Sequence, residues 1–171
     1  NAHLVPVGAD QKQHLELSRN LAERFNHRYS DTFNIPEPFI PESGGRIMSL
    51  QNPDNKMSKS DKNENNFIAL LDDEDTIIRK IKRAVTDSGS EIVFSDDKPG
   101  LKNLITIYSS YSGISPKDIE RQYVGKMYSD FKEDLGQLIS DSLEPIRTKY
   151  NEIISDKDYL NKVLSEGAEK A

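Results

Sequence analysis

The chain begins with a short β-branched run and changes to helical spacing within a few residues. Leu4-Val5-Pro6-Val7 ends at Gly8, which predicts a strand followed by a turn. From Gln11 the apolar spacing becomes three and four residues, in a stripe formed by His14, Leu17, Leu21 and Phe25. We therefore expect a strand, a glycine turn and a helix, a corner that commonly holds ligands in open α/β sheets.

A long irregular segment is predicted next. Residues 30–66 are rich in Pro, Gly, Ser and Asn, and Ile35-Pro36-Glu37-Pro38, Gly44-Gly45 and Asn52-Pro53 interrupt any regular element. A loop of this length is uncommon in a compact protein unless it is functional or disordered.

Helical patterns dominate the rest of the chain. We expect Asp72 to cap a helix whose apolar face is Ile77, Ile81 and Val85, opposite a basic face made of Arg79, Lys80, Lys82 and Arg83. Such faces are usually solvated, although this one is also able to meet nucleic-acid phosphates.

Three further helices are expected. Pro99 opens one with Leu101, Leu104, Ile105 and Tyr108 inward, and Ser115-Pro116 opens the next. The last begins near Ser129, with a kink or break predicted at Pro145 and an apolar face formed by Phe131, Leu135, Leu138, Leu143, Ile146 and Tyr150.

Composition narrows the class of protein. The formal net charge is −6, with 35% hydrophobic and 30% charged residues, so any nucleic-acid contact must come from local basic patches. There is no cysteine, so disulfides and thiolate metal sites are excluded, and the three histidines lack zinc spacing. No apolar run is long enough to span a bilayer, and we expect a cytoplasmic protein without a metal site or prosthetic group.

The strongest chemical signal is Lys56-Met57-Ser58-Lys59-Ser60. Two lysines three residues apart, with the Ser58 hydroxyl between them and the Ser60 hydroxyl directly after, are suited to hold a phosphate chain. Negative charge accumulates on pyrophosphate as it leaves, so a lysine that tightens in that state accelerates transfer. The alternative is an ordinary solvated Lys/Ser loop.

This string is the second signature of class I aminoacyl-tRNA synthetases, and the chain resembles the bacterial tryptophanyl-tRNA synthetases in particular. The resemblance covers nearly the whole chain and rests on residues 5–14, 20–26, 46–50, 84–87, 98–100 and 167–171. A tyrosyl-tRNA synthetase fragment is a nearer alternative, and a stand-alone helical RNA-binding module is a more distant one.

The resemblance implies a mostly α fold, in which a partial Rossmann-like α/β piece precedes an all-α helical bundle. Residues 1–70 would be the C-terminal part of the catalytic domain, 71–155 the anticodon-binding domain and 156–171 the start of the C-terminal helix. The first class I signature, His-x-Gly-His, does not occur in the chain. We therefore expect a C-terminal fragment that is inactive or nearly so by itself.

The resemblance also implies site residues. For ATP these are Gly8 and Asp10 at the ribose, Ile47 and Met57 at the adenine, and Lys56, Ser58 and Lys59 at the triphosphate, with Lys56 and Lys59 catalytic. For L-tryptophan they are Val5 and Val7 at the indole and Gln11 at the polar end. From the residues alone, the valines, Ile47 and Met57 are equally ordinary core positions, Gly8 is needed by the turn, and Asp10 and Gln11 suit a helix start.

The implied reaction is ATP-dependent activation of L-tryptophan to tryptophanyl-adenylate, followed by transfer to tRNA(Trp). ATP would arrive with Mg²⁺, and the intact protein would be a homodimer.

Overall fold

The computed structural model describes residues 2–8, 11–40 and 46–170. The chain divides into two compact units, residues 1–47 and 48–171. Each unit is built around its own contacts and is described by itself.

The first unit is a small α/β piece. Strand β1 (Leu4–Pro6) pairs in parallel with β2 (Glu37–Phe39), with Leu4 opposite Glu37 and Pro6 opposite Phe39. Helix α1 (Lys12–Arg28) lies between them in the chain. The predicted order of strand, turn and helix is confirmed.

The predicted inner face of α1 is wrong within this unit. Leu17 and Leu21 are 60% and 59% exposed, whereas Leu15 is buried. The helix instead turns Arg19 towards β2, where its guanidinium donates to the carbonyl oxygen of Pro36 at 2.6 Å and pairs with Glu37 at 2.6 Å. The Arg19 side of the helix therefore faces the strand.

The second unit is a helical bundle. Its helices are α2 (Glu74–Arg83), α3 (Pro99–Ser112), α4 (Pro116–Gln122), α5 (Tyr128–Ser155) and α6 (Lys157–Lys170), preceded by a 3₁₀ turn at Glu64–Asn66. The core lies where α2 and α3 pack on α5, and its fully buried apolar side chains include Ile77, Ile81, Leu101, Leu104, Ile105, Ile119, Phe131, Leu135 and Ile139. The predicted class, mostly α with a partial α/β piece before a bundle, is confirmed. No helix of the described ranges is long and apolar enough to cross a membrane.

Helices α3 and α4 follow the sequence pattern closely. All four residues expected to face inward from α3 are buried. The Ser115 hydroxyl caps α4 by accepting from the Asp118 N–H at 3.3 Å, and Pro116 occupies the first turn.

Helix α2 differs from the prediction in its cap and in its faces. Asp73, not Asp72, accepts from the Thr76 N–H at 2.8 Å and caps the helix. Val85 lies beyond the helix and is 43% exposed, and Lys80 is buried at 3% exposure rather than lying on a solvated basic face. The cause is the Asp72 carboxylate, which lies 2.6 Å from the Lys80 ammonium and draws it inward.

Helix α5 continues through Pro145 without a break. Its apolar face ends at Leu143, because Ile146 and Tyr150 are 47% and 44% exposed. The predicted inward positions of these last two residues are therefore wrong.

The compact units divide between Ile47 and Met48, and not at residue 70. Ser49 and Leu50 are both 2% exposed, and the Val85 N–H donates to the Leu50 carbonyl at 2.8 Å. The segment before the bundle is therefore part of its core. The functional limits 1–70, 71–155 and 156–171 stay a prediction.

Candidate functional site

The lysine-serine loop, residues 56–61, begins on a short two-stranded ribbon. Met48 and Lys56 form an antiparallel bridge, and the Ser49 N–H donates to the Asn55 carbonyl at 2.8 Å. The Asn55 N–H returns to the Asn52 carbonyl at 3.0 Å and closes the turn between them. Lys56 is thus carried by hydrogen-bonded backbone at the start of the loop.

The loop itself exposes its charged side chains. Lys56, Ser58 and Lys59 are exposed, while Met57 is half-buried. The Ser58 and Ser60 hydroxyls lie 3.0 Å apart, and the Asp61 N–H donates to the Ser58 carbonyl at 3.2 Å. Lys59 therefore projects from a tight turn into solvent, where a phosphate chain has access to it.

Asp61 closes the far end of the loop. Its carboxylate accepts from the Asn66 side-chain amide at 2.8 Å and from the Asn63 N–H at 2.9 Å. These two hydrogen bonds, the Asn66 one foremost, hold the pKa of Asp61 below its usual value. The Asn66 carbonyl in turn accepts from the Leu50 N–H at 3.0 Å, so both ends of the loop return to the ribbon. Sequence reasoning missed Asn66.

The residues expected at the amino acid and the ribose lie in the first unit. Val5 and Val7 are half-buried on one side of the strand, and the Val7 N–H donates to the Phe39 carbonyl at 3.1 Å. The Gly8 carbonyl accepts from the Gln11 N–H at 3.0 Å in the turn that starts α1. The Gln11 side chain lies 3.1 Å from His14 and makes no capping hydrogen bond.

Two other site predictions have different outcomes. Asp10 lies outside the described residues. Ile47 is half-buried and is the last residue of the first unit, whereas Lys56, Met57, Ser58 and Lys59 belong to the second. The structure thus brings the predicted residues together in two groups, one in each unit.

A buried ionic contact anchors the segment that follows the loop. The Asp72 carboxylate binds the Lys80 ammonium and also accepts from the Ala69 N–H at 2.9 Å. The Arg147 guanidinium, from α5, donates to the Asp72 carbonyl at 3.1 Å. Lys80 is therefore occupied inside the protein and does not belong to a phosphate-binding face.

A polar cluster links the segment after α2 to the start of α5. The Tyr128 hydroxyl donates to the Asp87 carboxylate at 2.8 Å, and the Lys98 ammonium lies 3.4 Å from the same carboxylate. Nearby, a surface cavity of about 370 Å³ separates residues 90–93 from residues 123–127. No group of three or more side chains suited to hold a metal ion occurs in the described ranges.

The chain belongs to the class I tRNA synthetases of the tryptophan and tyrosine (W and Y) type, whose family model matches residues 1–144. The predicted resemblance is confirmed at this level.

Within that class, its relatives are tryptophan–tRNA ligases. The chain is 54% identical over 170 residues to the ligase of Clostridium acetobutylicum and 53% identical over 172 residues to that of Bacillus anthracis. These matches cover 99% and 100% of this chain but 51% and 52% of the relatives, so the chain spans about half their length.

Solved structures agree. Tryptophanyl-tRNA synthetase from Mycoplasma pneumoniae matches with a TM-score of 0.80 at 33% identity, over 98% of this chain and 51% of that one. The Campylobacter jejuni enzyme, solved with ADP and tryptophan, matches with a TM-score of 0.63 at 29% identity, again over 98% of this chain and 51% of that one. A Leishmania major tyrosyl-tRNA synthetase, at 21% identity and a TM-score of 0.61 over 96% of this chain and 27% of that one, shares the fold.

Proposed function

We propose that the chain supplies the lysine-serine loop and the helical bundle of a tryptophan–tRNA ligase. The observation that carries the proposal is the loop itself, in which Lys56 precedes, and Lys59 lies within, an exposed hydroxyl-rich turn whose ends are held by hydrogen bonds. The identity of 54% to a tryptophan–tRNA ligase favours tryptophan over tyrosine as the amino acid.

The proposed reaction explains why lysines are needed. The carboxylate of L-tryptophan attacks the α-phosphorus of ATP, the bond to the β-phosphate oxygen breaks, and tryptophanyl-adenylate and pyrophosphate form. Negative charge grows on the leaving pyrophosphate, so the Lys56 and Lys59 ammonium groups stabilise the transition state more than the ground state. Ser58 would donate to the same phosphates, and Mg²⁺ would enter with ATP as part of the substrate.

Residues of the first unit, and Met57 of the second, would hold the other parts of the substrates. Val5 and Val7, half-buried on the strand, suit the apolar indole. Gln11 would bind the polar end of the amino acid, Gly8 and Asp10 the ribose, and Ile47 with Met57 the adenine. The Campylobacter jejuni relative was solved with ADP and tryptophan, which supports an adenine nucleotide and tryptophan as the ligands in the proposal.

The bundle would receive tRNA(Trp). Single-stranded bases are recognised by stacking and by hydrogen bonds to their edges. The cavity beside residues 123–127 presents an apolar side chain and a cation to such bases, because Val124 is 80% exposed and Lys126 is exposed at the same rim, over the buried Tyr123 ring. A homodimeric assembly in the cytoplasm completes the proposal.

The test is ATP–pyrophosphate exchange by a completed enzyme. The Clostridium acetobutylicum ligase supplies the half of the enzyme that has no counterpart in this chain, and the two pieces are joined. Exchange is then measured with tryptophan and, separately, with tyrosine. We expect exchange with tryptophan alone, while the 171-residue chain by itself stays silent. Exchange with tyrosine would show that the part of the amino-acid pocket that this chain supplies does not select tryptophan. Exchange with neither amino acid would contradict the proposal and favour the bundle as a stand-alone RNA-binding module.

The loop has a matched control within five residues. Lys59→Ala should lower kcat for exchange by roughly 10²-fold, the usual cost of removing one transition-state contact, with a smaller effect on the KM for ATP. Lys62→Ala removes an equally exposed lysine just outside the loop and should change kcat less than about twofold. Equal losses in the two variants would mean that Lys59 acts only through general charge.

A further inference from the structure

Asn103 is a buried amide in the middle of helix α3, and it binds both peptide groups of one distant residue. Its Oδ1 accepts from the Met48 N–H at 2.8 Å, and its Nδ2 donates to the Met48 carbonyl at 2.8 Å. The side chain is only 5% exposed, so these bonds replace its contacts with water. The Asn103 amide therefore forms with Met48 the two hydrogen bonds that the backbone of a neighbouring strand would otherwise form.

Met48 is also the residue opposite Lys56 in the ribbon. The ribbon's ladder bond runs from the Ser49 N–H to the Asn55 carbonyl at 2.8 Å, while the peptide groups of Met48 point to Asn103. Directly opposite residues place their side chains on the same face of a ribbon. A slip of one residue in the pairing would therefore send Lys56 to the other face.

The bundle holds this strand of the ribbon at two more points. The Val85 N–H donates to the Leu50 carbonyl at 2.8 Å, and the Gln51 amide donates to the Arg83 carbonyl at 2.9 Å. Both contacts come from the end of α2 and follow Met48 in the chain. Only the contact from Asn103, among these three, is made with Met48, the residue opposite Lys56.

We propose that Asn103 is a positioning residue for adenylate formation: by clamping Met48 to helix α3 it sets the register of the ribbon and hence the direction in which Lys56 projects. The proposal rests on the proposed function of the loop. It assigns Asn103 no contact with ATP, tryptophan or tRNA, and it makes helix α3 the support of a lysine 47 positions earlier in the chain.

A double-mutant cycle in the completed enzyme tests whether Asn103 acts through Lys56. Asn103→Leu should lower kcat for pyrophosphate exchange roughly 30- to 100-fold, since small misplacements of a catalytic group are that costly, and leave the KM for tryptophan within about twofold. The kcat of the double variant, Asn103→Leu with Lys56→Ala, should lie within roughly threefold of the kcat of Lys56→Ala alone. Ile107→Ala, which empties a buried position one turn along α3, is the matched control and should keep kcat at temperatures well below its unfolding transition.

Two results would overturn the proposal. One is a double variant whose loss of kcat is the product of the two single losses, and the other is an Asn103→Leu enzyme with the kcat of the wild type. Both results require a wild-type enzyme that exchanges with tryptophan. A wild-type enzyme that exchanges with no amino acid would instead contradict the proposed function, so the two failures are distinguishable.

A second test needs no catalysis and uses the 171-residue chain. In Asn103→Asp the ionised carboxylate accepts from the Met48 N–H but repels the Met48 carbonyl, whereas the protonated acid both accepts and donates as the native amide does. Amide exchange at Ser49 and Met48, normalised to wild type at each pH, should therefore be fast at pH 8 and return towards wild-type protection near pH 5. Equal protection of the variant at both pH values would show that Asn103 does not hold the ribbon.

Discussion

Asn103, Lys80 and Lys132 are buried polar side chains, and each binds a segment outside its own helix. Asn103 holds Met48, Lys80 holds Asp72, and the Lys132 ammonium donates to the Ala84 carbonyl at 2.8 Å. Burial lowers the pKa of Lys132, because no carboxylate is among its hydrogen-bond acceptors in the described ranges. A buried polar group is costly unless it is paired, so each contact favours one packing of its segment over the alternatives.

The hydroxyl of Tyr128 offers a pH-dependent test at this scale. Burial raises the pKa of Asp87, but hydrogen bonds from Tyr128, the Gly89 N–H and Lys98 outweigh it, so the pKa lies below its usual value. A depressed carboxylate pKa stabilises the fold above the unfolded value, near pH 4, and this stabilisation is lost as the pH falls through the folded value.

Tyr128→Phe should therefore reduce the free energy of unfolding by roughly 1–2 kcal/mol at pH 7, the worth of a hydrogen bond to a charged group at a partly exposed site. The difference from wild type should shrink below about pH 4. Urea unfolding of the full chain at pH 7 and at pH 3 measures both values. A difference that is the same at the two pH values would show that the hydroxyl does not act through Asp87.

Two helical glycines offer a matched pair at the scale of elements. A Cβ on Gly100 of α3 would overlap the Val85 carbonyl, which belongs to the segment that holds Leu50, whereas a Cβ on Gly167 of α6 meets nothing within 4 Å. Gly100→Ala should destabilise the chain by about 2–4 kcal/mol through overpacking. Gly167→Ala should stabilise α6 by roughly 0.5–1 kcal/mol through helix propensity.

Thermal and urea unfolding of the two variants measure both changes in the free energy of unfolding. They thereby distinguish a glycine that allows a neighbouring backbone to approach its helix from one with open space around it. If both substitutions stabilised the chain, the backbone near Val85 would have to move away from α3 with little loss of free energy, which would contradict the expected overpacking.

The elements that the sequence predicted correctly are those that local chemistry determines. Pro99 and the Ser115 cap mark the starts of α3 and α4, and the inward face of α3 follows from its spacing alone. The covered face of α1 and the cap of α2 depend on partners elsewhere, namely β2 for Arg19 and Lys80 for Asp72. Periodicity contains no information about such partners, so these predictions were wrong.

The candidate site shows the same division. The lysines and serines of the loop were found because their string is distinctive. Asn66 and Asn103 were missed, because one is an ordinary asparagine in an irregular segment and the other lies on a helix 55 residues from the residue it binds.

At the scale of the molecule, the lysine-serine loop belongs to the compact unit of the bundle. Residues 48–171 should therefore fold by themselves, with helical circular dichroism and one cooperative urea transition. A chain that starts at residue 71, the predicted functional limit, loses the buried Leu50 and leaves Asn103 without Met48, so it should unfold at a lower urea concentration. Equal midpoints for the two truncated chains would place the structural boundary at residue 70 instead.

The chain spans about half the length of its tryptophan–tRNA ligase relatives, and we propose that it provides both the lysine-serine loop and the helical bundle of such an enzyme. The most direct test is tRNA charging by the Clostridium acetobutylicum ligase in which this chain replaces its counterpart. In the proposed function, adenylate formation uses the loop and transfer uses tRNA bound to the bundle, so one measurement tests both parts. We expect the hybrid to charge tRNA(Trp) with tryptophan, and we expect Lys59→Ala, but not Lys62→Ala, to slow the reaction strongly. A folded hybrid that charges no tRNA with tryptophan would contradict the proposal.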